Sequence, residues 1–177
     1  LIFSLMTSVN HREFGGIQAF CEKNRLPFQF NTVITPRDDG DTAPCAFRLS
    51  GEDLLRLPKP WETFSDGHPM DTGAIRPDSP LSSWCSMGCS LCYITNIGDV
   101  RPCSVVTEAA GNIRETSFAE IWNGSGLFKR IRALKISDLE CSACEHFPEC
   151  RPCPGLAFLE HGSITASPKE ICRITSA

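Results

Sequence analysis

The sequence predicts an α/β segment followed by a small, cysteine-rich α+β domain, and three observations carry that expectation. Residues 1–35 run apolar stretch, helix-period stretch, apolar stretch, the pattern of strand, helix and strand. Residues 58–84 hold Pro58, Pro60, Pro69, Pro77 and Pro80 among Gly, Asp and Ser, with no sustained periodicity. Nine of the eleven cysteines lie beyond residue 84. The expected division is therefore a first segment at 1–57, a linker at 58–84 and a metal-binding domain at 85–177.

Taken in order, Leu1 to Val9 reads as a buried parallel strand, a short apolar run closed by polar residues. Asn10 offers a helix N-cap. Between Arg12 and Asn24 the residues Phe14, Ile17, Ala19, Phe20 and Cys21 recur at helical spacing, despite Gly15 and Gly16. Leu26 to Thr35 reads as a second strand with Phe28 and Phe30 on one face, completing a βαβ unit. A polar loop from Pro36 to Asp41 follows. Ser50 with Asp53 forms a capping box for a short helix through Leu57.

Beyond the linker, apolar runs on either side of Gly98-Asp99 predict a hairpin, and Gly111-Asn112 reads as a further turn. Ser117 and Glu120 make a second capping box. Phe118, Ile121, Trp122, Leu127, Phe128, Ile131 and Leu134 supply the apolar stripe behind it, with an irregularity expected at Gly124 and Gly126. Trp122 and Phe128 read as core. The remaining cysteine-rich segment has few apolar residues, so metal is expected to hold much of it together.

Composition narrows the function classes. A formal charge of −4 argues against a nucleic-acid surface, and the densest basic patch, Lys129, Arg130 and Arg132, reads as a solvated helix face. No apolar run approaches the roughly 20 residues that cross a bilayer, so no membrane partner is expected. Leu1 to Met6 is too short for a signal core and lacks a basic flank, and the chain starts without Met, as a fragment would. Eleven cysteines would leave one thiol over from any closed disulfide framework; a reducing, cytoplasmic setting is expected.

The metal-ligand candidates are Cys85, Cys89, Cys92 and Cys103 in one group and Cys141, Cys144, Cys150, Cys153 and Cys172 in another. Thiolates two to five residues apart can converge on one centre, and they are soft ligands suited to zinc or to iron-sulfur iron. Spacing alone leaves both open. The five residues between Cys144 and Cys150 fit poorly with a zinc ribbon, whose knuckles stand about 15 to 20 residues apart. Cys21 reads as core and Cys45 as a free thiol. His11, His68, His146 and His161 show no ligand spacing.

The string Cys85-x3-Cys89-x2-Cys92 matches the three-cysteine signature of radical S-adenosylmethionine enzymes. That signature follows the first strand of a barrel with on the order of 200 residues behind it, whereas 85 residues follow Cys92. The larger pattern is Cys85, Gly98-x4-Cys103, Cys141-x2-Cys144-x5-Cys150, Cys153 and Cys172, with Gly111-Asn112-Ile113 and Ser117 to Trp122 between the groups. It resembles the SPASM domain found as a C-terminal extension on many radical S-adenosylmethionine enzymes that modify peptides and proteins. Residues 1–57 are similar, more loosely, to the closing part of the partial (β/α) barrel that precedes that domain.

The resemblance implies one or two auxiliary [4Fe-4S] clusters, used for electron transfer or substrate engagement. Cys141, Cys144, Cys150 and Cys172 would complete one. Cys85, Cys103 and Cys153 would serve the other, with Cys89, Cys92 or a substrate as the fourth ligand. It further implies a peptide or small-molecule substrate, a reducing electron donor, and S-adenosylmethionine with a further [4Fe-4S] cluster in the full-length enzyme; this stretch alone would not cleave the cofactor. The Cys150-x2-Cys153 spacing is one residue shorter than the family's commonest. The alternative is a structural zinc-binding interaction module.

Overall fold

The computed structural model describes residues 1–58, 76–147, 150 and 152–176. The chain divides into two compact units, Leu1–Gly73 with Arg173–Ala177, and Ala74–Cys172.

In the first unit, strand β1 (Ile2–Leu5) pairs in parallel with β2 (Phe28–Asn31), with Ile2 opposite Phe28, and helix α1 (Phe14–Lys23) connects them. The βαβ unit is thus present. Its core is Met6, Phe30 and Leu49, and Phe14 meets Phe30 edge-on with centroids 5.0 Å apart. Phe28 and Phe30 share a face as expected, their rings stacked at 6.4 Å. Cys21 is buried.

Two expectations fail. The β1 strand is not buried: Phe3 is 58% exposed and Leu5 42%, because among the described residues its sheet has two strands and neither face of the pair is fully covered. Asn10 does not cap the helix. Its Oδ1 accepts the Thr7 N–H (2.7 Å) and its Nδ2 donates to Leu5 O (3.0 Å), so it closes the turn leaving β1, and α1 is entered through a 3-10 turn at His11–Glu13. The Ser50 cap is as expected: its Oγ accepts the Asp53 N–H (3.1 Å) at the start of α2 (Gly51–Leu54). Ser50 Oγ–H in turn donates to the Asp53 carboxylate, holding its pKa below the ordinary value.

The second unit is α+β. Its antiparallel sheet has the order β3 (Tyr93–Ile94), β4 (Asp99–Arg101), β5 (Gly111–Asn112). The hairpin is closed by Gly98 N–H donating to Thr95 O and Thr95 N–H to Asp99 O. Gly111-Asn112, read from sequence as a turn, is instead the third strand, with Val100 opposite Gly111. Two residues are too short to show a period, and the partner that defines them lies on another strand.

Ser117 caps α3 (Phe118–Gly124) in a full capping box with Glu120. The helix breaks where the glycines predict, and Ser125 caps its continuation, α4 (Gly126–Ala133). Helix α5 (Pro154–His161) and helix α6 (Lys169–Thr175) complete the order.

Leu81, Met87, Val106, Leu127, Ile131, Ile136 and Leu139 form one core cluster of this unit, and Val100, Ile121 and Phe128 another. The cysteine-rich part therefore has a more substantial apolar interior than its sequence suggests. Leu81, within the stretch expected to be a linker, is fully buried in it. Its N–H donates to Leu134 O, and Ile136 and Ser137 donate to Ser79 O and Pro77 O. Residues 59–75 of that expected linker lie outside the described residues. Among the described residues no helix is long and apolar enough to cross a membrane.

Candidate metal centres

Two groups of thiols are gathered in the second unit. In the first, Cys85 lies within electrostatic range of Cys153, Cys103 and Cys89. The loop carrying Cys85 and Cys89 is seated on α4 by Arg132, whose Nε donates to Gly88 O and whose Nη1 donates to Trp122 O, both at 2.7 Å. The guanidinium also stacks 4.5 Å from the Trp122 ring centroid and 5.3 Å from that of Phe128. Gly88 has a φ of 68°, the left-handed region that favours glycine, and a Cβ there would also press on Ile131 Cγ2 at 3.2 Å.

Pro152, and with it Cys153, is brought to the same place by Trp84. Its indole N–H donates to Pro152 O at 2.9 Å, and its ring stacks on Phe147 with centroids 5.2 Å apart. This contact spans 68 residues of sequence. It sets Cys153 beside Cys85 although the two belong to different clusters along the chain.

Gly155 marks how tightly Cys103 and Cys153 meet. A Cβ there would lie 3.2 Å from Cys103 Sγ and 3.7 Å from Cys153 Sγ, intruding on the space the sulfurs share. Cys92 is placed differently: it packs against the Val100, Ile121 and Phe128 cluster.

The second group joins Cys150 with Cys141, Cys144 and Cys172. Cys141 is 6% exposed, whereas Cys144 and Cys172 lie at the surface. The 3-10 turn carrying Cys141 (Glu140–Ala143) is tied to the segment leading to Cys172 at two points. Glu140 N–H donates to Thr165 O, and the Glu140 carboxylate accepts the Ser167 N–H, each at 2.9 Å. Glu160 of α5 accepts the first two N–H groups of α6, those of Lys169 and Glu170, which orients the helix bearing Cys172. Beside this group a cavity of about 560 Å³ is lined by Glu140, His161, Ser163, Ser167, Lys169 and Cys172 among others.

Burial sets the acidity of these thiols. It raises Cys85, partly offset by the Met87 N–H, with the neighbouring thiols adding to the rise. It raises Cys153, partly offset by the N–H groups of Leu156 and Gly155 at the start of α5. Cys150 is pushed up to about 11 by burial and by Cys141, Cys144 and Cys172. Cys172, although exposed by area, is raised by what desolvation it has and by Cys141, Cys144 and Glu160. Several thiols crowded together, each opposing its neighbours' ionisation, are a site that gains from a cation core.

Among the described residues no three His, Cys, Asp or Glu side chains stand close enough to share a single ion. A zinc ion about 2.3 Å from each sulfur demands thiols about 3.8 Å apart. A four-iron cluster puts each thiolate on its own iron and accepts a wider set. The donor chemistry, thiols gathered from several segments, fits that group. His146 is exposed and stands 3.8 Å from Glu145, and Cys45 is only partly buried in the other unit.

Arg132 and Trp84 are the positioning residues that sequence reading misses. Arg132 was expected on a solvated face with Lys129 and Arg130. Those two are exposed, but Arg132 is drawn under the cysteine loop by the carbonyls and rings it meets. Trp84 carried a signal only in standing next to Cys85.

Two groups of thiols gathered on a small α+β scaffold are donors that suit iron-sulfur clusters. Residues 85–154 match SPASM, an iron-sulfur cluster-binding domain. An AdoMet-dependent heme synthase of Oleidesulfovibrio alaskensis is 35% identical over 96 residues, covering 52% of this chain and 25% of the relative. Proteins of the same name from Methanosarcina barkeri and Nitratidesulfovibrio vulgaris are 32% and 30% identical, covering 46% and 52% of this chain and 24% and 26% of their own. The chain thus spans about a quarter of the length of the curated relatives it matches. Residues 85–154 are thus similar to a SPASM domain, and the chain is similar over about half its length to proteins named for their use of S-adenosylmethionine.

Proposed function

We propose that this chain supplies two auxiliary [4Fe-4S] centres to an S-adenosylmethionine-dependent radical enzyme acting in heme formation. Cys85, Cys89, Cys103 and Cys153 would hold one, and Cys141, Cys144, Cys150 and Cys172 the other. The observation that carries this is the gathering of the thiols into these two sets, with Cys153 crossing from the second sequence group to the first spatial one. When bound, such a cluster accepts or relays one electron at a time, at a potential set by burial and by hydrogen bonds to its sulfurs.

The protein's own contribution is positional. Arg132 and Trp84 fix the two segments that bear the first set, and Glu140 and Glu160 fix those that bear the second. The apolar cluster under Met87 and Val106 keeps water from the inner side of Cys85 and Cys103. The substrate class follows the relatives: all three bear the name AdoMet-dependent heme synthase, which, of the peptide or small-molecule substrate expected from sequence, favours a small molecule, a tetrapyrrole. The β1-α1-β2 unit is consistent with part of a (β/α) barrel. S-adenosylmethionine and the cluster that cleaves it would be held by residues other than these, with a cytoplasmic electron donor as partner.

The test is anaerobic purification of the chain followed by absorbance and low-temperature electron paramagnetic resonance after reduction. A brown protein with two reducible centres supports the proposal. A colourless protein carrying zinc and no labile sulfide refutes it and favours a structural zinc module.

A further inference from the structure

Ser167 stands out because its hydroxyl is aimed at a ligand candidate and the residue is held there by an unrelated bond. Cys141 Sγ–H donates to Ser167 Oγ across 3.5 Å. The Ser167 backbone N–H is engaged separately, by the Glu140 carboxylate at 2.9 Å, and Glu140 is anchored through its own N–H to Thr165 O. The hydroxyl is therefore placed by the backbone and remains free to rotate. A serine hydroxyl has one donor and two acceptor directions, so it accepts from a thiol and donates to a thiolate.

We infer that Ser167 is a potential-setting residue for the cluster held by Cys141, Cys144, Cys150 and Cys172, donating its O–H to the Cys141 sulfur once that sulfur is a ligated thiolate. This rests on the iron-sulfur reading above. A hydrogen bond to a ligand sulfur stabilises the more negative, reduced form of a cluster over the oxidised one, and so raises its potential. Cys141 is itself 6% exposed, so its sulfur is shielded from bulk solvent and a bond to it weighs more than one made in water. Ser163 provides an internal comparison. It lines the same cavity, but its hydroxyl pairs with Thr165 Oγ1 at 2.9 Å and accepts the Thr165 N–H at 3.3 Å.

The experiment is a redox titration of the anaerobically reconstituted full chain, monitored by electron paramagnetic resonance, for wild type, Ser167→Ala, Ser167→Thr, Ser167→Val and Ser163→Ala. Iron and sulfide content are measured on each. The alanine variant keeps the backbone bond to Glu140, and the Thr/Val pair repeats the comparison at constant side-chain shape. With iron content unchanged, Ser167→Ala should lower the reduced-to-oxidised ratio of one centre about tenfold at fixed poise, a shift of about 59 mV for one electron. Ser167→Val should shift the same way, while Ser167→Thr and Ser163→Ala stay with wild type. Identical potentials in wild type, Ser167→Ala and Ser167→Val would overturn the role of Ser167 and leave the cluster reading standing. Absence of iron and sulfide from wild type itself would overturn both.

Discussion

Replacing Arg132 with methionine tests the seating of the first thiol group. Methionine keeps most of the apolar stem but removes both donors and the charge. The Gly88 carbonyl belongs to a buried residue and loses its 2.7 Å partner, at a cost of about 2 kcal/mol. The Trp122 carbonyl belongs to a half-buried residue and recovers part of its loss from water, leaving about 1 kcal/mol. Loss of the cation from the Trp122 and Phe128 rings adds about 0.5 kcal/mol.

The sum, about 3 to 4 kcal/mol, is a large part of the 5 to 15 kcal/mol by which domains are typically stable. With a urea slope of about 2 kcal/mol per molar, the unfolding midpoint should fall by about 1.5 to 2 M. The assay is urea unfolding followed by circular dichroism under anaerobic conditions, with Arg132→Lys in parallel. Lysine keeps the charge but cannot present a planar fork to two carbonyls, so it should fall between the two. A midpoint within about 0.5 M of wild type for the methionine variant would refute the clamp.

Three further outcomes are expected at the site. Cys89→Ala should abolish one centre, whereas Cys92→Ala, a substitution in the Val100, Ile121 and Phe128 cluster, should lower stability by about 1 kcal/mol and leave both centres; the reverse result in iron analysis would exchange their roles. Cys172→Ala should damage the centre associated with Cys141, Cys144 and Cys150 and spare the other, read as loss of one paramagnetic signal; equal loss of both would show that the sites are not independent. In metal-free protein, burial raises the Cys150 thiol above its ordinary value, so the neutral thiol stabilises the fold below the ordinary thiol range, and that contribution is lost as pH rises through about 11. Alkylation of Cys150 should accordingly stay slow until pH nears 11 in folded protein, and recover an ordinary thiol profile in urea; coincident profiles would refute the shift.

How much was legible in sequence depended on whether the signal was local. Both serine caps were, because the Ser50 and Ser117 pairs lie within one turn of chain, although only Ser117 and Glu120 complete the reciprocal capping box. So was the helix break, since Gly124 and Gly126 flank a serine able to cap α4. The cysteine spacing carried the resemblance to the SPASM domain, which residues 85–154 match, and that resemblance carried the expectation that Cys153 serves the earlier group. Most of the features that stayed hidden depended on distant partners. Strand β5 exists only because β4 lies beside it, and Leu81 is core only because residues 134–137 run along it. Asn10 is a good N-cap type that found closer acceptors and donors in the turn behind it. Arg132 illustrates the widest gap. Lys129 and Arg130, the other bases of its patch, are solvated, yet its own partners stand 44 residues away in the loop and 10 residues away in the preceding helix.

The relation between fold and chemistry is economical in one respect. The same contacts that build the apolar interior also bring the thiols together: Met87, between Cys85 and Cys89, is fully buried, and Cys85 and Cys103 pack against the cluster it belongs to. The second group has less of this support. It relies on Glu140 and Glu160 bonding to backbone N–H groups, with two of its four cysteines at the surface.

Iron, acid-labile sulfide and zinc measured together on the anaerobically purified chain test the central claim most directly. Two four-iron clusters predict about eight iron and about eight sulfide per chain, without zinc. Stoichiometric zinc with no labile sulfide would contradict it.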